Sequence, residues 1–580
     1  MTAAKPYQDP HRPVTERVED LLARMTLQEK AGLLFHDMAT LDDAFPEPVA
    51  ARIGERSMNH FNLVGGGSPR EIAEWHNRVQ EAALATRLGI PVTVSTDPRH
   101  SFSDNPGIAA AAGAFSRWPE PLGLAAIGDE ELVGRFADTV RREYLAVGIR
   151  LALHPQLDLA TEPRWARVSG TFGADAALAA GLGRAYIRGL HGDGLGPRSV
   201  SCMVKHFPGG GPQKDGEDPH FSHGREQVYP GDRFEHHLVP FEAALDAGAS
   251  QVMPSYGVPV GTPYEEVAFA FNKELITGLL RERYGFDGIV CTDWGLLTDG
   301  SFRGEPMPAR AWGVEHLSPA QRVRRALEAG VDQFGGERCP ELVVALVGDG
   351  AVPETRIDRS VRRLLREKFT LGLFDRRFVD PDEAEEIVGR SEFRAAGLRA
   401  QSEAVTLLTN GPLPLRTGMR IYCEGVDART AAAYGEVVAV PEEAEVALVR
   451  LAAPFEPRPG AFESFFHAGD LAFPDAVVHR LRDLAGRVPT VVDVHLERPA
   501  VLPEIADAAA SLLASFGACD EAVLDVVFGR RAPRGRLPVE LPRSMEAVRR
   551  SRSDVPGDTR DPVFPLGHGL EFSCEVGRHD

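Results

Sequence analysis

Cysteine is scarce. The chain has six in 580 residues, Cys202, Cys291, Cys339, Cys423, Cys519 and Cys574, and no two form a CxxC pair. That excludes a disulfide-framed fold and a zinc-ribbon site, and the six read as buried thiols in a reducing compartment. No apolar run approaches the ~20 residues that span a bilayer. Met1–Pro13 is polar and lacks the basic start and apolar stretch of a signal peptide, so the chain is expected to be cytoplasmic. Positive charge is also short, with 64 Lys and Arg against 84 Asp and Glu, a formal net charge of -20. This argues against nucleic acid and anionic membranes as partners. No metal-ligand cluster, phosphate loop or redox motif is present, so no cofactor is expected. The triplet Gly209-Gly210-Gly211 does not open a helix after a strand in the phosphate-loop pattern. Repeats and low-complexity segments are lacking too.

What is present fits a soluble globular protein, with 43% apolar and 26% charged residues. A length of 580 exceeds what one core usually holds, so two or three domains are expected. Val18, Leu21, Leu22 and Met25 share one helical face. Thr26 and Glu29 have capping-box spacing and open a second helix.

A strand–helix rhythm follows. The clearest apolar runs are Ile90–Thr96, Arg150–Leu159, Ser199–Val204, Ser250–Met253, Gly288–Thr292 and Gly330–Phe334. Several lead directly into polar residues: Asp97, Arg164 and Arg167, Lys205-His206, Tyr256 and Asp293. Helical stretches such as Asp129–Leu145, Ala174–Leu190 and Asn272–Tyr284 separate them. Alternation of this kind predicts a parallel sheet. Polar groups at so many strand ends predict an N-terminal (β/α)8 TIM-like barrel whose site lies at the strands' C-terminal ends.

The rhythm fades near Phe374–Asp382, where Pro381 and charges suggest a linker. After the helix Glu392–Glu403, strands Ala404–Leu408, Arg420–Cys423, Val446–Leu451, Thr490–Leu496 and Ser511–Phe516 alternate with helices Pro474–Leu484 and Glu521–Phe528. This predicts a smaller, doubly wound α/β sandwich. The expected division is a barrel over 1–378, a linker over 379–398 and the second domain over 399–575. The loop Ala452–Gly469 is long for such a sheet, and long structured loops are often functional.

The segment Gly288–Gly295 is a buried strand delivering Asp293 and Trp294 to its C-terminal end. A carboxylate there can be a nucleophile, a metal ligand or a cap, and Trp294 offers a sugar an apolar platform. Here the chain resembles glycoside hydrolase family 3, the β-glucosidase and β-xylosidase family, over nearly its whole length. Arg17–Leu34 resembles the family's opening helix pair. Ser95-Thr96-Asp97, Glu162-Pro163-Arg164-Trp165-Ala166-Arg167, Lys205-His206-Phe207-Pro208-Gly209, Met253-Pro254-Ser255-Tyr256 and Thr292-Asp293-Trp294 resemble its motifs in order. Gly535-Arg536-Leu537-Pro538 and Pro565–Leu570 resemble its closing ones.

The resemblance implies a retaining exo-β-glycosidase, most simply a β-glucosidase, acting on a small glycoside or oligosaccharide. Asp293 would be the nucleophile. Asp97, Arg167, Lys205 and His206 would hold sugar hydroxyls, Trp294 would line the sugar site, and Tyr256 would hydrogen-bond Asp293. Forked and charged groups suit vicinal diols, and such hydrogen bonds are worth roughly 1.5–3 kcal/mol each.

The acid/base is less clear-cut. Retaining enzymes place a second carboxyl roughly 5–5.5 Å from the first. In two-domain relatives it comes from the second domain, which points here to Pro454–Glu463. Spacing back from Asp470 and Pro474 selects Glu463; spacing forward from Val446–Leu451 selects Glu456. Glu463 is preferred, and Glu456 could instead pair locally with Arg458. Asp218-Pro219-His220 resembles the Asp-x-His acid/base of the family's N-acetylglucosaminidases, although Gly210 replaces a motif histidine and the loop is longer. Two alternatives therefore stand beside the glucosidase: an N-acetyl-β-hexosaminidase or related phosphorylase using His220, and an inactive sugar-binding protein. Sugar identity, linkage and oligomeric state, a homo-oligomer included, are left open. The expected substrate is an imported oligosaccharide or a plant or microbial glucoside.

Overall fold

The computed structural model describes residues 5–43, 47–105 and 109–572. Cys574 lies outside the described residues, as does the end of the second domain as read from sequence. Of the other five cysteines, none forms a disulfide. Cys202, Cys291 and Cys339 are buried as expected, whereas Cys423 and Cys519 are only half-buried.

Eight parallel strands form the first domain: β1 Phe35–Ala39, β2 His60–Leu63, β3 Thr93–Thr96, β4 Ile149–Ala152, β5 Ser201–Phe207, β6 Gln251–Pro254, β7 Ile289–Val290 and β8 Phe334–Gly335. Each pairs with its neighbour in chain order, and β8 returns to β1. A parallel bridge between Cys291 and Gln333 joins β7 to β8 and closes the barrel. Leu151, Leu153, Met203, Met253 and Cys291 fill its interior, with Trp294 packed against them. The predicted barrel is therefore present.

Two strands were not legible in the sequence, β1 and β2. Their buried His36, Asp37, His60 and Asn62 interrupt the apolar signal. Some of these groups are held by partners elsewhere: Asp37 pairs with Arg52, and His36 Nε2 lies 2.7 Å from Ser95 Oγ. The early helices are as expected. The Thr26 hydroxyl accepts from Glu29 N–H at 3.3 Å, and the Glu29 carboxylate accepts from Thr26 N–H at 2.8 Å. The stretch read as Asn272–Tyr284 forms a π-helix over Glu274–Arg283.

The segment read as a linker is helical. Pro381–Ile387 packs on the barrel helices Pro69–Leu84 and Glu130–Ala146, and Ser391–Ala404 follows. Pro381 opens the first of these rather than breaking it, because a helix's first turn does not use that N–H. Arg70 holds this helix to the barrel through Asp382 and Glu385.

The second domain has one sheet of β9 Thr406–Thr409, β10 Arg420–Glu424, β11 Glu436–Val437, β12 Val446–Ala452, β13 Thr490–His495 and β14 Ser511–Ser515. The spatial order is β9-β14-β13-β12-β10-β11, parallel except for β9. Each face has its own apolar layer. On one side Leu481, Leu484 and Ile505 pack with Leu122, Trp165 and Val168 of the barrel domain. On the other, Ala431, Val523 and Val527 cover the sheet. The doubly wound prediction is met, and one helical layer is shared with the barrel.

Candidate active site

The barrel's C-terminal mouth gathers the residues singled out in sequence. Asp97 is the first residue after β3. One of its oxygens accepts from Lys205 Nζ at 3.0 Å and the other from Asn62 Nδ2 at 3.0 Å. Burial alone would raise this carboxyl, but the Lys205 charge and these hydrogen bonds hold it below the usual carboxylate range. It stays ionised.

His206 sits one residue further along β5. Its Nδ1 lies 2.7 Å from Asp158 Oδ2, and Arg167 Nη1 donates to Nε2 at 3.1 Å. These partners assign the proton to Nδ1. Burial and the Arg167 charge lower the His206 pKa, so the ring is neutral near pH 7. Asp158 also accepts from the backbone N–H groups of His206 and Gly210. The glycine triplet thus serves close packing: a Cβ on Gly211 would lie 1.8 Å from Leu159 O.

Asp293 follows β7 and is buried. Its Oδ1 accepts from Trp294 N–H at 2.8 Å. Its Oδ2 lies 3.9 Å from His206 Nε2 and has no hydrogen-bond partner among the described residues. The same holds for Arg167 Nε and Trp294 Nε1. Unpaired buried polar atoms are costly, and three at one barrel mouth mark a site shaped for a polar ligand. The Trp294 ring is wedged against β8. A Cβ on Gly335 would come within 2.7 Å of it, and one on Gly336 within 2.6 Å.

The Tyr256 hydroxyl faces Asp293, whose charge and side-chain hydrogen bond both act on it, and it donates to the Trp294 carbonyl at 2.7 Å. Burial and the Asp293 charge raise its pKa well above 10, so it remains a neutral donor. Arg310 shares that carbonyl, with Nη1 at 3.2 Å.

The second domain reaches the mouth through its long loop. Glu463 lies in a short turn, Glu463–Phe465, and its Oε1 is 3.4 Å from His223 Nε2. It lines a cavity beside His220 and Arg310. Glu456 is placed differently. It is exposed, bridges to Ala468 through its backbone, and its carboxylate turns back over Gly469 and Asp470. Nor does it pair with Arg458, which contacts Glu217 at 2.7 Å instead. The structure therefore brings Glu463, not Glu456, to this cavity.

His220 is 2.6 Å from Asp218 Oδ1 through Nδ1, and its ring lies 4.6 Å from Tyr256 and 4.9 Å from Phe466. Burial lowers its pKa despite Asp218, leaving it neutral.

Three residues escaped the sequence reading. Asn62 lies on β2, a strand without a clear signal. Asp158 lies between Leu157 and Leu159 and resembles an outward strand position. Arg310 belongs to a loop with no motif.

The family model for the Glycosyl hydrolase family 3 N terminal domain matches residues 64–367, and that for the C-terminal domain matches 245–572. The "Probable beta-glucosidase C" of Aspergillus flavus is 54% identical over 582 residues, covering 98% of this chain and 92% of that protein. The "Periplasmic beta-glucosidase/beta-xylosidase" of Dickeya chrysanthemi is 43% identical, covering 97% of this chain and 91% of that one. Its name gives that relative a compartment other than the cytoplasm expected above for this chain. A solved β-glucosidase structure from Erythrobacter marinus superimposes with TM-score 0.80 at 22% identity, over 98% of this chain and 84% of that one. The chain belongs to glycoside hydrolase family 3 and is a glycoside hydrolase.

Proposed function

We propose that the protein is a retaining exo-β-glucosidase with Asp293 as nucleophile and Glu463 as acid/base. The observation that carries this reading is the buried, unpartnered Oδ2 of Asp293 beside His206, at the strand end where barrel enzymes do their chemistry. The high identity to proteins named β-glucosidase, over nearly the full length, supports glucose as the sugar.

Asp97, Lys205, Arg167 and His206 hold the hydroxyls of the terminal sugar. Their mutual hydrogen bonds fix their directions before substrate arrives. Asp293 attacks the anomeric carbon. The bond to the leaving oxygen breaks as Glu463 gives that oxygen its proton. Glu463, now a carboxylate, takes a proton from water, whose oxygen displaces Asp293 and releases glucose.

The Asp218–His220 pair supports a second reading, because the neutral ring stands against Tyr256 and its Nδ1 is already held by a carboxylate. The variants Asp293→Ala, Glu463→Gln, Glu456→Gln and His220→Ala separate the two. They are assayed on nitrophenyl β-glycosides of glucose, xylose, galactose and N-acetylglucosamine, with azide. Asp293→Ala should abolish hydrolysis, with azide giving at most the inverted α-glucosyl azide, and among the second-site variants azide should restore Glu463→Gln alone, giving β-glucosyl azide. A second-site loss confined to His220→Ala would overturn Glu463 as the acid/base.

A further inference from the structure

A cavity of about 350 Å³ opens at the end of the barrel opposite the active site. Strands begin there: Gly148 and Arg150 lie at the start of β4, and Pro197 and Arg198 shortly precede β5. The other side is closed by the chain that leaves the last barrel helix, Glu354–Thr370, and runs into Pro381–Ile387. Five arginines, Arg142, Arg150, Arg198, Arg376 and Arg377, line this cavity against one acidic residue, Glu383. The chain as a whole carries 84 acidic against 64 basic side chains, so the excess of positive charge here is local.

These guanidiniums are short of counter-charge. Arg150 is 6% exposed and donates to backbone carbonyls, those of Ser199 at 3.2 Å, Pro197 at 3.1 Å and Leu371 at 2.8 Å. Its Nη1 has no partner among the described residues. Burial alone acts on its pKa and lowers it to about 10, so the group stays charged near pH 7 with no carboxylate to offset the cost. Arg377 donates through Nη2 to the Gly89 carbonyl at 3.2 Å, and its Nη1 is buried without a partner among the described residues. Arg376 is exposed and forms no ion pair among those residues. Arg198 meets Asp193 at 3.2 Å, but both side chains are open to water, where such a pair is worth little. Arg142 stands 3.8 Å from Glu392. A buried cation without a counter-ion is costly, and a multivalent oxyanion would offset that cost. Guanidinium forks match the paired oxygens of a phosphate group. The volume falls within the roughly 300–1,000 Å³ of small-molecule sites, and Leu145, Leu373 and Phe378 add carbon to the wall. An organic group therefore fits beside the anion.

We infer that this cavity binds phosphate, free or as the monoester of a small organic alcohol. Its place at the far end of the barrel from Asp293 makes it independent of the glucosidase reading. The full-length protein is titrated calorimetrically with inorganic phosphate and with phenyl phosphate, in chloride buffer at one fixed ionic strength. Saturable binding of inorganic phosphate as tight as that of phenyl phosphate would mark the free anion as the ligand, and phenyl phosphate bound several-fold tighter would mark a monoester. The double variant Arg198→Ser/Arg376→Ser removes two exposed guanidiniums and should weaken either probe about tenfold or more. Glu383→Gln removes the opposing carboxylate and should tighten binding about threefold. Both variants should melt as wild type does in chloride and keep its kcat/KM on a nitrophenyl β-glucoside. No saturable binding of either probe would overturn the inference. So would affinities that both variants leave unchanged, because the anion would then sit elsewhere, for instance beside Arg167.

Discussion

Arg498 offers a sharp test of how the second domain supplies its part of the site. Its side chain is buried. Nη1 donates to the carbonyls of Arg164 and Gly469, each at 2.9 Å. Nη2 is shared among those of Pro454, Ala468 and Asp470, at 2.8, 2.9 and 3.1 Å. One guanidinium thus ties both feet of the Glu463 loop to each other and to the barrel segment that carries Arg167. Arg498→Lys keeps the charge but offers three N–H groups for five carbonyls. At least two lose their partner, and at roughly 1–3 kcal/mol for each buried orphan the cost is about 2–6 kcal/mol if the loop stays in place. Phe455, Glu456 and Pro457 on that loop are exposed, so lifting it is the cheaper response. The expected result is a fall in kcat/KM of about 10–100-fold, or about 1.4–2.7 kcal/mol of transition-state stabilisation, with only a small drop in melting temperature. Azide should partly restore turnover of a dinitrophenyl glucoside, because it replaces the water that a displaced Glu463 no longer activates. A kcat/KM within twofold of wild type would refute the reasoning. So would a loss that azide leaves untouched, since Arg498 would then support folding without positioning Glu463.

Two further outcomes follow from buried groups at the barrel's end. Glu337 accepts from the N–H groups of Leu297 and Thr298 and from the Thr298 hydroxyl, and burial pushes its carboxyl up to about 7 from 4.5. The stabilisation this gives is fully present below the unfolded pKa and is lost as pH rises through 7, a change of about 3 kcal/mol over that window. Glu337→Gln stays neutral, so its melting temperature relative to wild type should climb from pH 4.5 to pH 8; a difference flat across that range would contradict this. In Gly335→Ala, the new Cβ would lie 2.6 Å from Thr292 O and 2.7 Å from Trp294 Cε3. Neither a backbone carbonyl nor a wedged indole gives way cheaply, so the variant should lose at least tenfold in kcat/KM and show an altered tryptophan emission. Wild-type fluorescence and activity would show that Trp294 has more room than the contacts imply.

Much of this protein is written locally. Short apolar runs that end in Asp97, Lys205-His206 and Asp293 predict a barrel and the mouth where its chemistry lies, because a parallel strand delivers its last residue to one end of the sheet whatever surrounds it. Strands β1 and β2 break that pattern, since His36, Asp37, His60 and Asn62 put buried polar groups where an apolar run is expected. Pro381 misled in the opposite direction, as the start of a helix looks like a break when its docking surface is unseen.

Sequence by itself therefore determined the fold class, the family motifs and the cluster Asp97, Arg167, Lys205, His206 and Asp293. Only tertiary structure decided which glutamate faces the barrel. Glu456 and Glu463 sit on one loop with similar spacing from flanking elements, and nothing local separates them. Their difference comes from contacts between parts of the chain hundreds of residues apart: Arg458 with Glu217, Ala461 with Glu305, and Arg498 with Arg164. Those contacts set the loop's path, and the path turns Glu463 inward while folding Glu456 back on its own backbone.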